Sequence, residues 1–255
     1  MSLSPESMFF LLVILLVGAL FVVCGKKGFR SLLSLILSIA VLTLVVIHLI
    51  ISKYDPVLIT LLASVPITFL VIYLTEGFNE ISHLSIFLTL AVFFVISILV
   101  DVSISVAGFT GIVSDESITV GGQMGIDLPE LLVASIMLST LGALIEMIVT
   151  QVGTVAELIE ANPGADRKQI YKQSYNVGII HLGSIINTLF LIYAGVLLPT
   201  LIVFSGSHQY LSNILNYEPA SSEIFRVLMG TIGLIIAMPV STLFATRWLK
   251  RGSGR

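Results

Sequence analysis

Apolar residues fill this chain in long uninterrupted blocks, separated by short polar clusters, with neither the alternation of half-buried strands nor the narrow stripe of a surface helix. A helix needs about 20 mostly apolar residues to cross a hydrocarbon core ~30 Å thick. Blocks that meet this need predict seven helices, near 8–25, 31–51, 57–74, 84–106, 129–150, 178–203 and 224–246. The third is the shortest, but Lys53, Tyr54, Asp55 and Pro56 punctuate its start and Thr75, Glu76, Gly77, Phe78 and Asn79 its end. The pattern is that of an all-α polytopic membrane protein forming a single membrane domain over 1–255.

The distribution of Lys and Arg adds an orientation, because basic residues in short loops resist translocation and acidic ones have little influence. Lys26, Lys27 and Arg30 separate the first two blocks, Arg167, Lys168 and Lys172 the fifth and sixth, and Arg247, Lys250, Arg251 and Arg255 follow the last. With seven crossings these fall on one side, and only Lys53 and Arg226 fall opposite. The N-terminus is then outside and the C-terminus cytoplasmic, and the expectation is a multi-pass cell-membrane protein. The loop with Glu76, Glu80 and His83 is assigned inside although it has no positive charge. Met1 to Ser7 carries Glu6 and no basic residue, so the first block reads as retained in the mature protein.

Three further stretches lie between blocks. The glycine-rich stretch with Gly108, Gly111, Gly121, Gly122 and Gly125 reads as an outer loop. Ser205 to Ser222, with Tyr210, Leu211, Ile214, Leu215 and Tyr217, predicts a short interfacial helix. Asn162, Pro163 and Gly164 predict a turn before a helix start at Gln169 to Tyr175. The tail Gly252, Ser253, Gly254, Arg255 carries no fold argument.

Composition agrees with a membrane solvent: 56% of residues are hydrophobic and 11% charged, against roughly 25% charged in a soluble domain. A net charge of −3 with no basic patch argues against nucleic-acid binding, and the single Cys24 excludes an internal disulfide framework. Metalloprotease, serine-hydrolase and P-loop signatures are missing, and Glu146 with His181 makes too few ligands for a structural metal site. The expectation is therefore no enzyme, no cofactor and no metal.

A charged group at the centre of a membrane helix costs about 2.5 to 3.5 kcal/mol, so the polar residues within the blocks are informative. Glu146 leads them. Gly142, Thr150, Gly153 and Glu157 share its helical face, making a polar seam, while Ser135, Ser139 and Ala143 form a small-residue stripe suited to helix packing. His181 lies at similar depth, within reach of Glu146, with Asn187 and Thr188 one or two turns further. Asp101 and His48 read as interfacial. Leu141 to Glu146 and Leu182 to Asn187 echo each other by residue class on helices of opposite direction, a pattern that in transporters marks a site between repeats. Pro66 and Pro239, with Gly230 and Gly233, loosen the third and seventh helices.

From Ile126 to Phe204 the chain resembles the YibE/YibF-like family of multi-pass bacterial membrane proteins. The resemblance rests on Gly142, Ala143, Leu144, Ile145, Glu146, then Thr150, Glu157, Asn162 and Pro163, then Ser174, Asn176, Val177, Gly178, Gly183, Ser184, Asn187, Thr188 and Leu189. It departs where the family's second acid falls at Ile180, followed by His181. It implies the smaller, YibF-like member of a pair, whose partner in the bilayer is a YibE-like subunit or a second copy. The reading is a permease-like subunit moving a small solute or ion along Glu146, His181, Asn187, Thr188 and Thr150, with Gly142, Ser135, Ser139, Gly178 and Gly183 packing helices. The alternative is a non-transporting membrane scaffold or regulatory subunit of a YibE-like partner complex.

Overall fold

Side-chain caps set where the helices begin. Asp55 accepts hydrogen bonds from the Val57 and Leu58 N–H groups at 2.8 and 3.0 Å just before Pro56, and Asp127 accepts from the Glu130 N–H at 3.1 Å just before Leu128 and Pro129. Asn79 accepts from the Ser82 N–H at 2.8 Å, and Ser114 and Ser117 form a reciprocal capping box. Several of the acidic and amide residues in the loops thus satisfy the free N–H groups that every helix start leaves.

The computed structural model describes residues 4–206 and 211–252, and it is helical nearly throughout. Helix α1 spans Pro5–Ile51, α2 Pro56–Glu76, α3 Glu80–Ala107, α4 Asp115–Met124, α5 Leu128–Ala161, α6 Arg167–Gly206, α7 Leu211–Leu215 and α8 Glu218–Gly252. Met1, Tyr210, Ser253, Gly254 and Arg255 lie outside the described residues. By length and composition, α1, α2, α3, α5, α6 and α8 can each cross a membrane.

The blocks expected at 8–25 and 31–51 share the 47 residues of α1. Gly25 breaks that run with φ +54° and ψ −129°. The turn is tight enough that a Cβ on Gly28 would lie 2.2 Å from the Leu20 carbonyl oxygen, so only glycine fits there. Before the break α1 is almost wholly exposed; after it, one face with Ser34, Val46 and Ile50 packs on α2.

The glycine-rich stretch expected as a loop contains α4. Its start has what a helix requires, Ser114 as cap with Asp115 and Glu116 in the first turn, and its glycines come late, with Gly125 closing the helix in the left-handed conformation. The turn at Asn162 to Gly164 is found as expected, and Leu211–Leu215 forms a short helix within the expected interfacial stretch.

Burial converges on α5, which packs against α2, α3, α6 and α8. Leu132, Ile136, Leu144, Met147, Ile148 and Val152 are the kind of side chain that fills this centre, each nearly inaccessible. α6 rests mainly on α5 and α8 through a seam one residue wide, Ile170, Ser174, Gly178 and Ile185, and leaves the rest of its surface open.

Candidate functional site

Two polar ties hold the elements that make the site. The first is Gln151, only 1% exposed. Its amide Nε2 donates to the Ser174 carbonyl of α6 at 2.9 Å and to Thr242 Oγ1 of α8 at 2.7 Å. The Thr242 hydroxyl donates in turn to the Met238 carbonyl at 2.7 Å. Gly178 makes room: a Cβ there would lie 2.7 Å from Gln151 Oε1. An amide in an apolar interior demands partners, and here those partners lie on two other helices. Gly178, expected as a packing residue, is buried against this amide.

The second tie is Arg226 at the start of α8. Its Nε donates to Glu223 Oε2 at 3.0 Å, an ion pair, and its Nη1 donates to the Ser135 carbonyl at 2.9 Å and towards Ser139 Oγ at 3.5 Å. Nη2 donates to Ser135 Oγ at 3.2 Å, and the guanidinium lies 6.0 Å from the Tyr193 ring centre. The small stripe of Ser135 and Ser139 therefore receives a cation, and Arg226, expected as an outer loop charge, is a half-buried link between α8, α5 and α6. Arginine suits this place because its planar fork donates in several directions at once.

Between the ties, α5 and α6 enclose a cavity of about 190 Å³ lined by Ser139, Ala143, Glu146, His181, Ser184, Ile185, Thr188, Leu189 and Ile192. The α6 contribution follows helical periodicity, with 181, 184, 185, 188, 189 and 192 on one face. Glu146, Ser184, Thr188 and Ile192 are exposed, so the cavity opens sideways at the surface of the chain. Among the described residues Glu146 has no ion pair or hydrogen bond. The His181 Nε2 atom is buried and without a hydrogen-bond partner.

Of the polar seam, Gly142, Glu146, Thr150 and Glu157 are exposed and Gly153 is half-buried. Gln151 is five residues from Glu146, about 140° round the helix, which is why one faces out and the other in. Asn187 is exposed and outside the cavity wall, since it lies a residue short of the face that Thr188 occupies; Thr150 is likewise outside the wall. Gly142 and Gly183 have nothing within 4 Å of a would-be Cβ, so within this chain they face open space. Ile180, where the resemblance puts a second acid, is 76% exposed, while the neighbouring His181 lines the cavity.

Sequence reasoning passed over Gln151 and the role of Arg226. Gln151 offered a signal, an amide inside a long apolar helix next to Thr150, but without charge it drew no weight. Asp101 and His48, expected as interfacial, are exposed near the end of α3 and near the end of α1.

The profile of the YibE/F-like protein family matches residues 12–251, so the resemblance carried by 126–204 extends over nearly the whole chain. No curated protein and no solved structure matches it. The chain belongs to the YibE/F-like family.

Proposed function

For this member of the YibE/F-like family we propose a permease-like role: one subunit of a complex in the bacterial inner membrane, moving a small solute or ion past Glu146 and His181. The observation that carries the reading is the meeting of these two residues, from separate helices, in the wall of one cavity. A carboxylate without a partner in the apolar part of a membrane helix is costly and is retained where it meets solute, water or a proton. The cavity's open side is where a further subunit, YibE-like or a second copy, completes the wall. The basic end of the bundle, with Arg167, Lys168, Lys172 and Arg247, faces the cytoplasm in this reading.

The test uses the full chain, with any subunit that co-purifies, in liposomes challenged with potassium chloride, sodium acetate, glycerol or methylammonium chloride. At least one solute enters faster than in empty liposomes, and Glu146→Gln removes most of that difference. If Glu146→Gln leaves entry of every solute unchanged, Glu146 has no part in transport and the reading falls.

A non-transporting scaffold or regulator is the second reading, favoured by the exposed polar positions Asn187 and Thr188 on the open side of α6. Loss of the co-purifying subunit on Asn187→Leu, with Glu146→Gln harmless in cells, supports it.

A further inference from the structure

Resting on the transport reading, the hydrogen-bonding inventory of the α5–α6 cavity defines the class of its solute. The Ser139 hydroxyl donates its proton to the Ile136 carbonyl at 2.9 Å, and the Thr188 hydroxyl donates to the Ser184 carbonyl at 3.0 Å. Each therefore turns only oxygen lone pairs towards the cavity. Glu146 adds a carboxylate with no partner among the described residues. A neutral imidazole adds one acceptor nitrogen and one N–H donor, and the buried His181 Nε2 has no partner within the chain. Acceptors thus dominate the wall, with Ser184 the one hydroxyl whose proton is not spent on the backbone.

The nearby cation does not reverse this. Arg226 gives its Nε to Glu223, its Nη1 to the Ser135 carbonyl and one lone pair of Ser139, and its Nη2 to the Ser135 hydroxyl, so four of its five N–H donors are engaged within the protein. A divalent metal ion is poorly matched too: among the described residues no group of three or more His, Cys, Asp or Glu side chains is arranged to hold one. Size narrows the choice further. At about 190 Å³ the space equals the share of roughly six liquid water molecules and is smaller than the ~300 to 1,000 Å³ of pockets for drug-sized ligands.

We infer that the cavity takes a small cation that donates hydrogen bonds, of the ammonium or primary-amine class, held by Glu146 with His181 and the lone pairs of Ser139 and Thr188. Such a solute brings a positive charge to the unpaired Glu146 carboxylate and N–H donors to a wall that offers mostly acceptors.

Charge displacement on a solid-supported membrane carrying the reconstituted full chain tests this with methylammonium, tetramethylammonium and acetate as probes. Tetramethylammonium has the charge without the donors; acetate has neither. Methylammonium gives a response that Glu146→Gln lowers at least tenfold and His181→Phe lowers several-fold, while the other two match empty liposomes. A Glu146-dependent acetate response, or tetramethylammonium equal to methylammonium, overturns the amine class and leaves transport standing. No Glu146-dependent response to any probe, with no Glu146-dependent solute entry in the liposome panel, overturns both. Glu146→Gln is close in shape and lies at an exposed position, so a folded variant is expected, checked by an unchanged elution profile.

Discussion

Helices α5 and α6 share the cavity, and their most apolar stretches have the same mean hydropathy of 2.1, yet 61% of the stretch in α5 is buried and 0% of that in α6. Hydropathy cannot separate them, because lipid tails and a protein interior are both apolar and either satisfies a leucine. The polar side chains do separate them. α5 buries Gln151 and Thr140 with their hydrogen bonds made inside the chain, whereas α6 shows Ser184, Asn187 and Thr188 to the outside. In a bilayer, α5 is thus finished within this chain, whereas the apolar stretch of α6 is left to lipid or to a further subunit.

The contrast breaks most readily at the ties. Gln151→Leu removes the amide that bridges α5 to α6 and α8, while the Ser174 carbonyl keeps its bond within α6. A loss of about 2 kcal/mol is expected, since two buried hydrogen bonds of about 1 kcal/mol each are removed. Denaturant titration in mixed micelles reads it, and a loss below about 0.5 kcal/mol, the range of an ordinary surface change, shows that α6 is held by something else.

Gly178→Ala comes next, at about 1 to 2 kcal/mol, because the new methyl would lie 2.7 Å from Gln151 Oε1. The amide is the flexible partner, so the two positions are coupled. In a Gln151→Ala background the same change costs less than about 0.5 kcal/mol. Equal costs in both backgrounds would place the clash on the backbone instead of the amide.

Arg226→Met is smaller again, about 1 kcal/mol, because its ion pair with Glu223 is partly solvent-screened while its bond to the Ser135 carbonyl is better shielded. Removing only the acid, by Glu223→Gln, is expected to cost less than Arg226→Met. The reverse order would make the ion pair, and not the reach to Ser135, the part that holds α8 on α5.

How much of this was legible in the sequence depends on which force set each feature. Membrane helices follow from composition, which registers in every residue, and caps such as Asp55 and Asp127 can be recognised from their position before proline or an apolar block. Depth along a helix is also legible, which is why Glu146 and His181 were expected at one level and now line one cavity. Rotation about the axis is less so. Thr188 lines the wall and Asn187 does not, a difference of one residue that only the packing of α6 on α5 and α8 decides. Gln151 and Arg226 were hidden for a related reason: their partners, Ser174, Thr242, Ser135 and Ser139, are remote in sequence and ordinary in type. Gly25 and Gly28 show the same limit at a turn, since the tight contact with Leu20 exists only once the chain has folded back.

The smallest effect is the most informative about α6. Asn187→Leu replaces an exposed amide that has no bond within the chain, so the folding stability of the isolated chain is expected to change by less than about 0.5 kcal/mol. In lipid the substitution even removes a polar group that hydrocarbon cannot satisfy, so a slight gain is consistent. On the scaffold reading what changes is the complex: amide side chains hydrogen-bond across membrane helices, each such bond contributing about 0.6 to 2 kcal/mol, and loss of the Asn187 amide lowers the amount of subunit retained on the tagged chain. Should Asn187→Leu instead destabilise the isolated chain as much as Gln151→Leu, α6 would have its polar partner within this chain, and its difference from α5 would be one of degree.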